Sequence, residues 1–207
     1  MLKPLFLLIM AAGAAFSQYK LEPAGPPPSD LPPAIAATLQ KDGSKIVAGN
    51  GTAFCSVWFL AKAPSGPKST EDGVTLPTIP QGSLIGVLQF PGRGADRRGQ
   101  NIKAGVYTMR YGLQPVNGDH QGVAPQRDFA VLVPAADDPG PTAAPGFDDL
   151  VKMSTKASGT PHPAVLSMSS SSNATFPELK KEGDNDWALH AKIGDLAMEI
   201  ILVGKAE

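Results

Sequence analysis

The C-terminal run "DWALHAKIGDLAMEIILVG" (186–204) limits the possible folds more than any other stretch. A two-residue loop at Gly194-Asp195 pairs Ile193 with Leu196, Ala191 with Met198, Leu189 with Ile200 and Trp187 with Leu202. All four pairs fall on one face, because side chains alternate across a strand with period two. A slip of one residue would turn the whole apolar set toward solvent, so pattern and turn chemistry select one register. The same register sets His190 opposite Glu199 on the other face, a cross-strand partnership that accounts for the histidine structurally. A lone hairpin is marginal in water, so further strands must cover its apolar face.

Those strands are legible upstream. In "SKIVAGNGTAFCSVWFL" (44–60) the Asn50-Gly51 dipeptide sits between two apolar runs and sets Ile46 opposite Cys55 and Ala48 opposite Ala53. Ile46, Ala48, Ala53, Cys55, Val57 and Phe59 then share a core face, and Phe54, Trp58 and Leu60 on the reverse imply cover on both sides. "SLIGVLQF" (83–90) is a strand ended by Pro91. "AGVYTMRYGL" (104–113) alternates Tyr107, Met109, Tyr111 and Leu113 with small or polar residues, the signature of a half-buried strand. Trp58, Trp187, Tyr107 and Tyr111 belong to apolar alternation, which favours core packing over an exposed carbohydrate platform. "FAVLVP" (129–134) is apolar on both faces and reads as a central strand, "HPAVLSM" (162–168) as another, and residues 73–77 as a short one. "SSSSNAT" (169–175) is a polar loop with a glycosylation sequon, and "EGDNDW" (182–187) a turn before the last hairpin.

Two helices are expected. The first has Asp30 as cap, prolines in its first turn and Leu31, Ile35 and Leu39 on one side; the second lies in "GFDDLVKMSTKASG" (146–159), with Phe147, Leu150 and Val151 on one side and Gly159 as its stop. Twenty-one prolines and 22 glycines in 207 residues suit short strands joined by turns. The fold class is therefore mostly β, an antiparallel β-sandwich or related barrel with two short peripheral helices.

The chain opens with Lys3, the apolar run "PLFLLIMAAGAAF" and small residues suited to signal peptidase, which reads as a secretory signal peptide over residues 1–17. Residues 18–33 then form a Pro-rich extended leader, and residues 34–207 a single β-sandwich domain. Without Lys3 the 18 basic residues become 17 against 19 acidic ones, a net charge of −2. That balance carries no electrostatic footprint for nucleic acid. No span in the mature sequence is apolar enough for a membrane helix. The single cysteine, Cys55, excludes an intramolecular disulfide and reads as a small buried apolar residue. The expected location is periplasmic or extracellular.

The chemistry concentrates in "NGDHQGVAPQRDF" (117–129), an overlong connection between two strands. Asp119, His120, Arg127 and Asp128 are the candidate ligand-binding residues. A carboxylate and an imidazole can hold a metal or move a proton, and a guanidinium can hold a carboxylate or sugar hydroxyl. The structural reading of the same residues is a turn with local backbone bonds and an ion pair. His120 and His162 are the candidate metal ligands, although no ligand-spacing motif supports them. Arg93, Arg97 and Arg98, in the mobile basic loop "GRGADRRGQN" (92–101), are candidate anion contacts, with a solvated charge run as the alternative. No motif assigns a catalytic residue, and no cofactor is implied.

The run "ADRRGQNIKAGVYTMRYGLQPVNGDHQGVAPQRDFAVLVPA" (95–135), with "KASGTPHPAVLS" (156–167) and "IILVGKAE" (200–207), resembles a family of uncharacterised secreted bacterial proteins. The resemblance covers most of the mature chain. It implies an envelope or extracellular protein and assigns no activity, so no functional residue carries over. The functional expectation is a non-enzymatic binding module for a small ligand, glycan or envelope protein. The alternatives are a metal-dependent or hydrolytic enzyme using the Asp119/His120 loop, and a structural or assembly module.

Overall fold

The computed structural model describes residues 19–116 and 126–205. Ten strands form one sheet: β1 (Lys20–Gly25), β2 (Gly43–Val47), β3 (Ala53–Phe59), β4 (Leu84–Phe90), β7 (Gly105–Leu113), β8 (Asp128–Pro134), β9 (Val165–Ser170), β10 (Glu178–Glu182), β11 (Asp186–Ile193) and β12 (Leu196–Val203). A two-residue ribbon, β5 (Gly94–Ala95) and β6 (Asn101–Ile102), stands apart. The order is β1-β2-β3-β4-β7-β8-β9-β12-β11-β10, every neighbour antiparallel, and the sheet curls until β1 and β10 approach. The mostly β antiparallel class thus takes its barrel form, nearly closed.

The C-terminal hairpin adopts the expected register from Ile193↔Leu196 through Leu189↔Ile200, with His190 opposite Glu199. Beyond that a bulge intervenes, so Trp187 pairs with Val203 and not Leu202. The Asn50-Gly51 hairpin behaves alike: Ile46 faces Cys55, but the bulge moves Ala53 onto Val47. Residues 73–77 form no strand. The Pro-rich leader does enter the sheet, as β1, an edge where Pro23 costs no ladder bond and a bulge lies between Pro23 and Gly25. Tyr19, just ahead of β1, sets its ring edge-on to Phe54 and to Trp187 across the seam. β10 is a strand that the charged "ELKKE" did not disclose.

The first helix, α1 (Pro33–Ala36), is shorter than expected; Pro32 and not Asp30 occupies its N-cap, without a side-chain bond. Leu39 has already left the helix to bridge Leu60, yet Leu31, Ile35 and Leu39 are all buried as the spacing required. The second helix, α2 (Phe147–Ser158), spans the expected residues. Gly159, with φ of 69°, returns its amide to the Thr155 carbonyl at 2.7 Å.

β7 is not half-buried. Tyr107, Met109 and Tyr111 line the barrel interior, and on its outer face Thr108 and Arg110 are 0% exposed. The cover is the segment from the 3-10 turn at Ala135–Asp137 into α2. Arg110 bonds Asp138 through both Nε (2.8 Å) and Nη2 (2.6 Å), and donates to the carbonyls of Gly82, Ala143 and Gly140 at 2.9, 2.6 and 2.6 Å. All five guanidinium N–H groups are thereby used. Asp138 in turn accepts from the Thr108 hydroxyl and the Gly140 amide. Gly82 has φ of 79°, and a Cβ there would collide with the Pro145 carbonyl, so only glycine lets this cover lie so close.

A buried ion pair is weak evidence of stability while intact but costly when one partner is removed. Asp138→Ala should lower unfolding free energy by about 3–5 kcal/mol. Asp137→Ala, which breaks only the exposed Lys156 pair, should cost less than about 1 kcal/mol. Urea denaturation checks the contrast, and equal effects would contradict it.

Candidate functional site

α2 lies across the outer face of β8 and β9. Its Leu150, Phe147 and Met153 meet Phe129, Val131, Val133 and Val165, a second small core outside the barrel. The alternation of β8 supplies it: Ala130 and Leu132 point inward while Phe129, Val131 and Val133 point out. Ser154 ties the helix to the strand beyond, accepting from the Ala164 amide at 2.9 Å and donating to its carbonyl at 3.2 Å. At one margin of this core the surfaces part to leave a pocket of about 220 Å³. Phe129, Phe147, Val151 and Val165 form its apolar walls, and Asp96, Arg97, Arg98, Gln114 and His162 contribute polar groups.

Two separate parts of the sequence, Arg97-Arg98 and His162, therefore meet at one cavity. Arg93 is exposed and does not line it. Hydrogen bonds anchor the basic loop. Buried Asp96 accepts from the amides of Arg98 and Gln100 and from Arg98 Nε and Nη2 at 3.1 and 2.7 Å. Arg98 Nη2 and Gln100 Nε2 both donate to the Pro163 carbonyl, at 2.7 and 2.9 Å. Arg97 makes a two-point contact with Asp186, 3.2 and 2.6 Å. Both guanidinium charges are thus largely answered by carboxylates. His162 is exposed, and its backbone is held by Ser158 and Thr160.

Of the other described candidates, neither Arg127 nor Asp128 lines this cavity. Asp119 and His120 lie outside the described residues. Arg127 donates to the Gln114 carbonyl, Glu71 and the Asp72 carbonyl at 2.9, 2.9 and 3.2 Å, tying the 71–73 turn to the start of β8. Asp128 is 0% exposed and accepts from Thr75 N and Oγ1, Leu76 N and the Tyr111 hydroxyl, the last at 2.5 Å. Its carboxylate is committed to fixing the segment that was expected to be a strand. Adjacent in sequence, Arg127 and Asp128 point to opposite sides of β8, so they act as two clamps and not as one site.

Sequence reasoning missed a different convergence. Among the described residues, Glu182, His190 and Glu199 each offer one donor atom, all within 4.8 Å of one another. The hairpin register disclosed Glu199 beside His190; Glu182 escaped notice because β10 was unread. Among the described residues His162 belongs to no such group, and its expected partner His120 lies outside them.

No family model matches the chain, and no curated protein or solved structure matches it.

Burial pushes the Cys55 thiol and the Tyr107 hydroxyl up, and it pushes Tyr111 up further with help from its bond to Asp128. None of the three suits a nucleophile or proton carrier at neutral pH. Their folded forms keep protons that the unfolded chain releases above the ordinary values of 9.0 for the thiol and 10.0 for the phenols. Stability is therefore full below pH 9 and falls above it, by up to about 1.4 kcal/mol per pH unit for each proton. Urea midpoints from pH 7 to 11 check this. Cys55→Ala should flatten the curve between pH 9 and 10, and stability rising through that window would contradict the assignment.

Proposed function

We propose that this chain is a secreted, non-enzymatic binding module whose ligand is a compact molecule with an apolar ring and an acidic or hydroxyl-bearing end. The observation that carries the reading is the pocket between α2 and β8–β9, apolar in its walls and polar at its edge. At about 220 Å³ it is smaller than the ~300–1,000 Å³ typical of drug-sized sites, which suits a single ring system. Ring faces of Phe129 and Phe147 supply contact area at little entropic cost. Arg97, Arg98, Gln114 and His162 supply the directional bonds that fix orientation. Secretion follows from the signal-like N-terminus and fits the resemblance to secreted bacterial proteins. Among the described residues no helix is long and apolar enough to cross a membrane.

2-Naphthoate, one fused ring system with one carboxylate, is a suitable probe. In ¹H–¹⁵N spectra its addition should move amides of Val151, Val165 and His162 together. Val151→Trp, a change at a half-exposed helix position, should fill the pocket and weaken binding at least tenfold while Tm stays within a few degrees. Shifts clustered elsewhere, or unchanged affinity in Val151→Trp, would refute the reading.

A further inference from the structure

On the face of β11 opposite the core, Ala188, His190 and Lys192 alternate with inward-facing Leu189, Ala191 and Ile193. Pairing carries the His190 position across four strands, as Glu178↔His190↔Glu199↔Ser169. The ring lies between two carboxylates: Glu182 Oε1 is 3.2 Å from Nε2, and Glu199 Oε2 is 3.3 Å from Nδ1. Ser171 Oγ is also 2.8 Å from Nδ1. The His190 side chain is only 7% exposed, whereas those of Glu182 and Glu199 are 42% and 21% exposed, so the group has a fixed inner anchor and an open outer side.

We infer that Glu182, His190 and Glu199 form a site for one first-row divalent cation, with zinc as the best-suited probe. A neutral imidazole carries one N–H, so with Nε2–H donated to Glu182 and Nδ1 accepting from the Ser171 hydroxyl, the ring has no proton to give to Glu199 Oε2. A cation held by the ring and both carboxylates would engage Glu199 Oε2 as well, and two carboxylates balance a double positive charge. In zinc's tetrahedral geometry, bonds to nitrogen and oxygen of about 2.0–2.2 Å put ligand atoms roughly 3.3–3.6 Å apart. The donor atoms here lie within 4.8 Å of one another, so side-chain shifts on the order of an ångström bring the set to that spacing.

The surrounding shell already suits ligation. Ser169 Oγ donates to Glu199 Oε1, which leaves Oε2 turned toward the ring. With the ion on one ring nitrogen, the other keeps an oxygen already in place, as ligating histidines do. The neighbouring carboxylate, Glu178, is engaged elsewhere, by Asn173 at 2.7 Å and Lys180 at 3.6 Å. The hydrogen bond from Asn173, together with Lys180, holds the Glu178 carboxyl below the usual range, so it stays ionised beside the site. Bound there, the ion would join β10, an edge of the seam, to β11 and β12, and solvent would fill the remaining positions. This inference is independent of the α2 pocket.

The test is titration of EDTA-treated, dialysed full-length chain with Zn²⁺ by calorimetry, alongside ¹⁵N spectra of the histidine rings. One ion per chain at micromolar Kd or tighter, with the His190 ring nitrogens shifting on addition, is the expected result. Glu182→Gln and Glu199→Gln should each weaken binding at least tenfold, while His162→Ala leaves it unchanged. Glu182→Gln alters a half-exposed side chain and should show the unliganded wild-type circular dichroism. Sub-stoichiometric binding, an unmoved His190 ring, wild-type affinity in Glu182→Gln, or loss of binding in His162→Ala would each overturn the assignment. The ring shift is read on the wild type, so it decides the matter even if a variant misfolds.

Discussion

A guanidinium buried to zero exposure on the outside of a barrel strand is the constraint on which the remaining architecture depends. Arg110 on β7 has no water to hydrate it, so its five N–H groups must all be answered by protein. Asp138 answers two of them, and the carbonyls of Gly82, Gly140 and Ala143 answer the rest. Satisfying one side chain therefore draws residues 138–143 down onto the sheet. The chain leaves this cover directly into α2, so the same bonds set where the helix begins. Without the cover, Phe129, Val131 and Val133 would face solvent, and the pocket would lose Phe147 and Val151 as its second wall.

The same solution recurs. Asp128 gathers Thr75, Leu76 and Tyr111, and Asp96 gathers Arg98 and Gln100; each is a buried carboxylate organising a loop. With few aromatics and many prolines and glycines, long connections here cannot be held by apolar packing alone. Buried charges with full hydrogen bonding hold them instead, and each bond satisfied also fixes direction. The two candidate sites follow this division: the pocket lies between the Asp96-anchored loop, α2 and the outer face of β8–β9, whereas the Glu182/His190/Glu199 cluster is carried by strand register.

What was legible in the sequence tracks the range of the interactions involved. The Gly194-Asp195 hairpin, α2 with its Gly159 cap, and the inward faces of β3, β7 and β12 depend on local period and turn chemistry, and they are found where those patterns place them. Arg110 reads locally as a polar residue on a solvent face, because Asp138 lies 28 positions away and nothing nearby announces the cover. β1 and β10 were missed for a related reason: edge strands tolerate proline and charge, which blurs the alternation that marks strands with two neighbours. Of the candidate residues, Arg97, Arg98 and His162 do meet at one cavity, through loop packing that spacing cannot express. Arg127 and Asp128 were chosen for chemical capacity, and their contacts show capacity spent on structure.

If the buried pair positions α2, its loss should be felt locally before it is felt globally. The direct measurement is amide hydrogen exchange in Asp138→Ala under conditions where the variant remains folded. Amides of α2 and of residues 135–146 should exchange at least tenfold faster than in the parent chain relative to the β11–β12 hairpin, whose pattern should stay intact. Uniform acceleration across the barrel, or an α2 as protected as before, would contradict the view that Arg110 and Asp138 build the pocket.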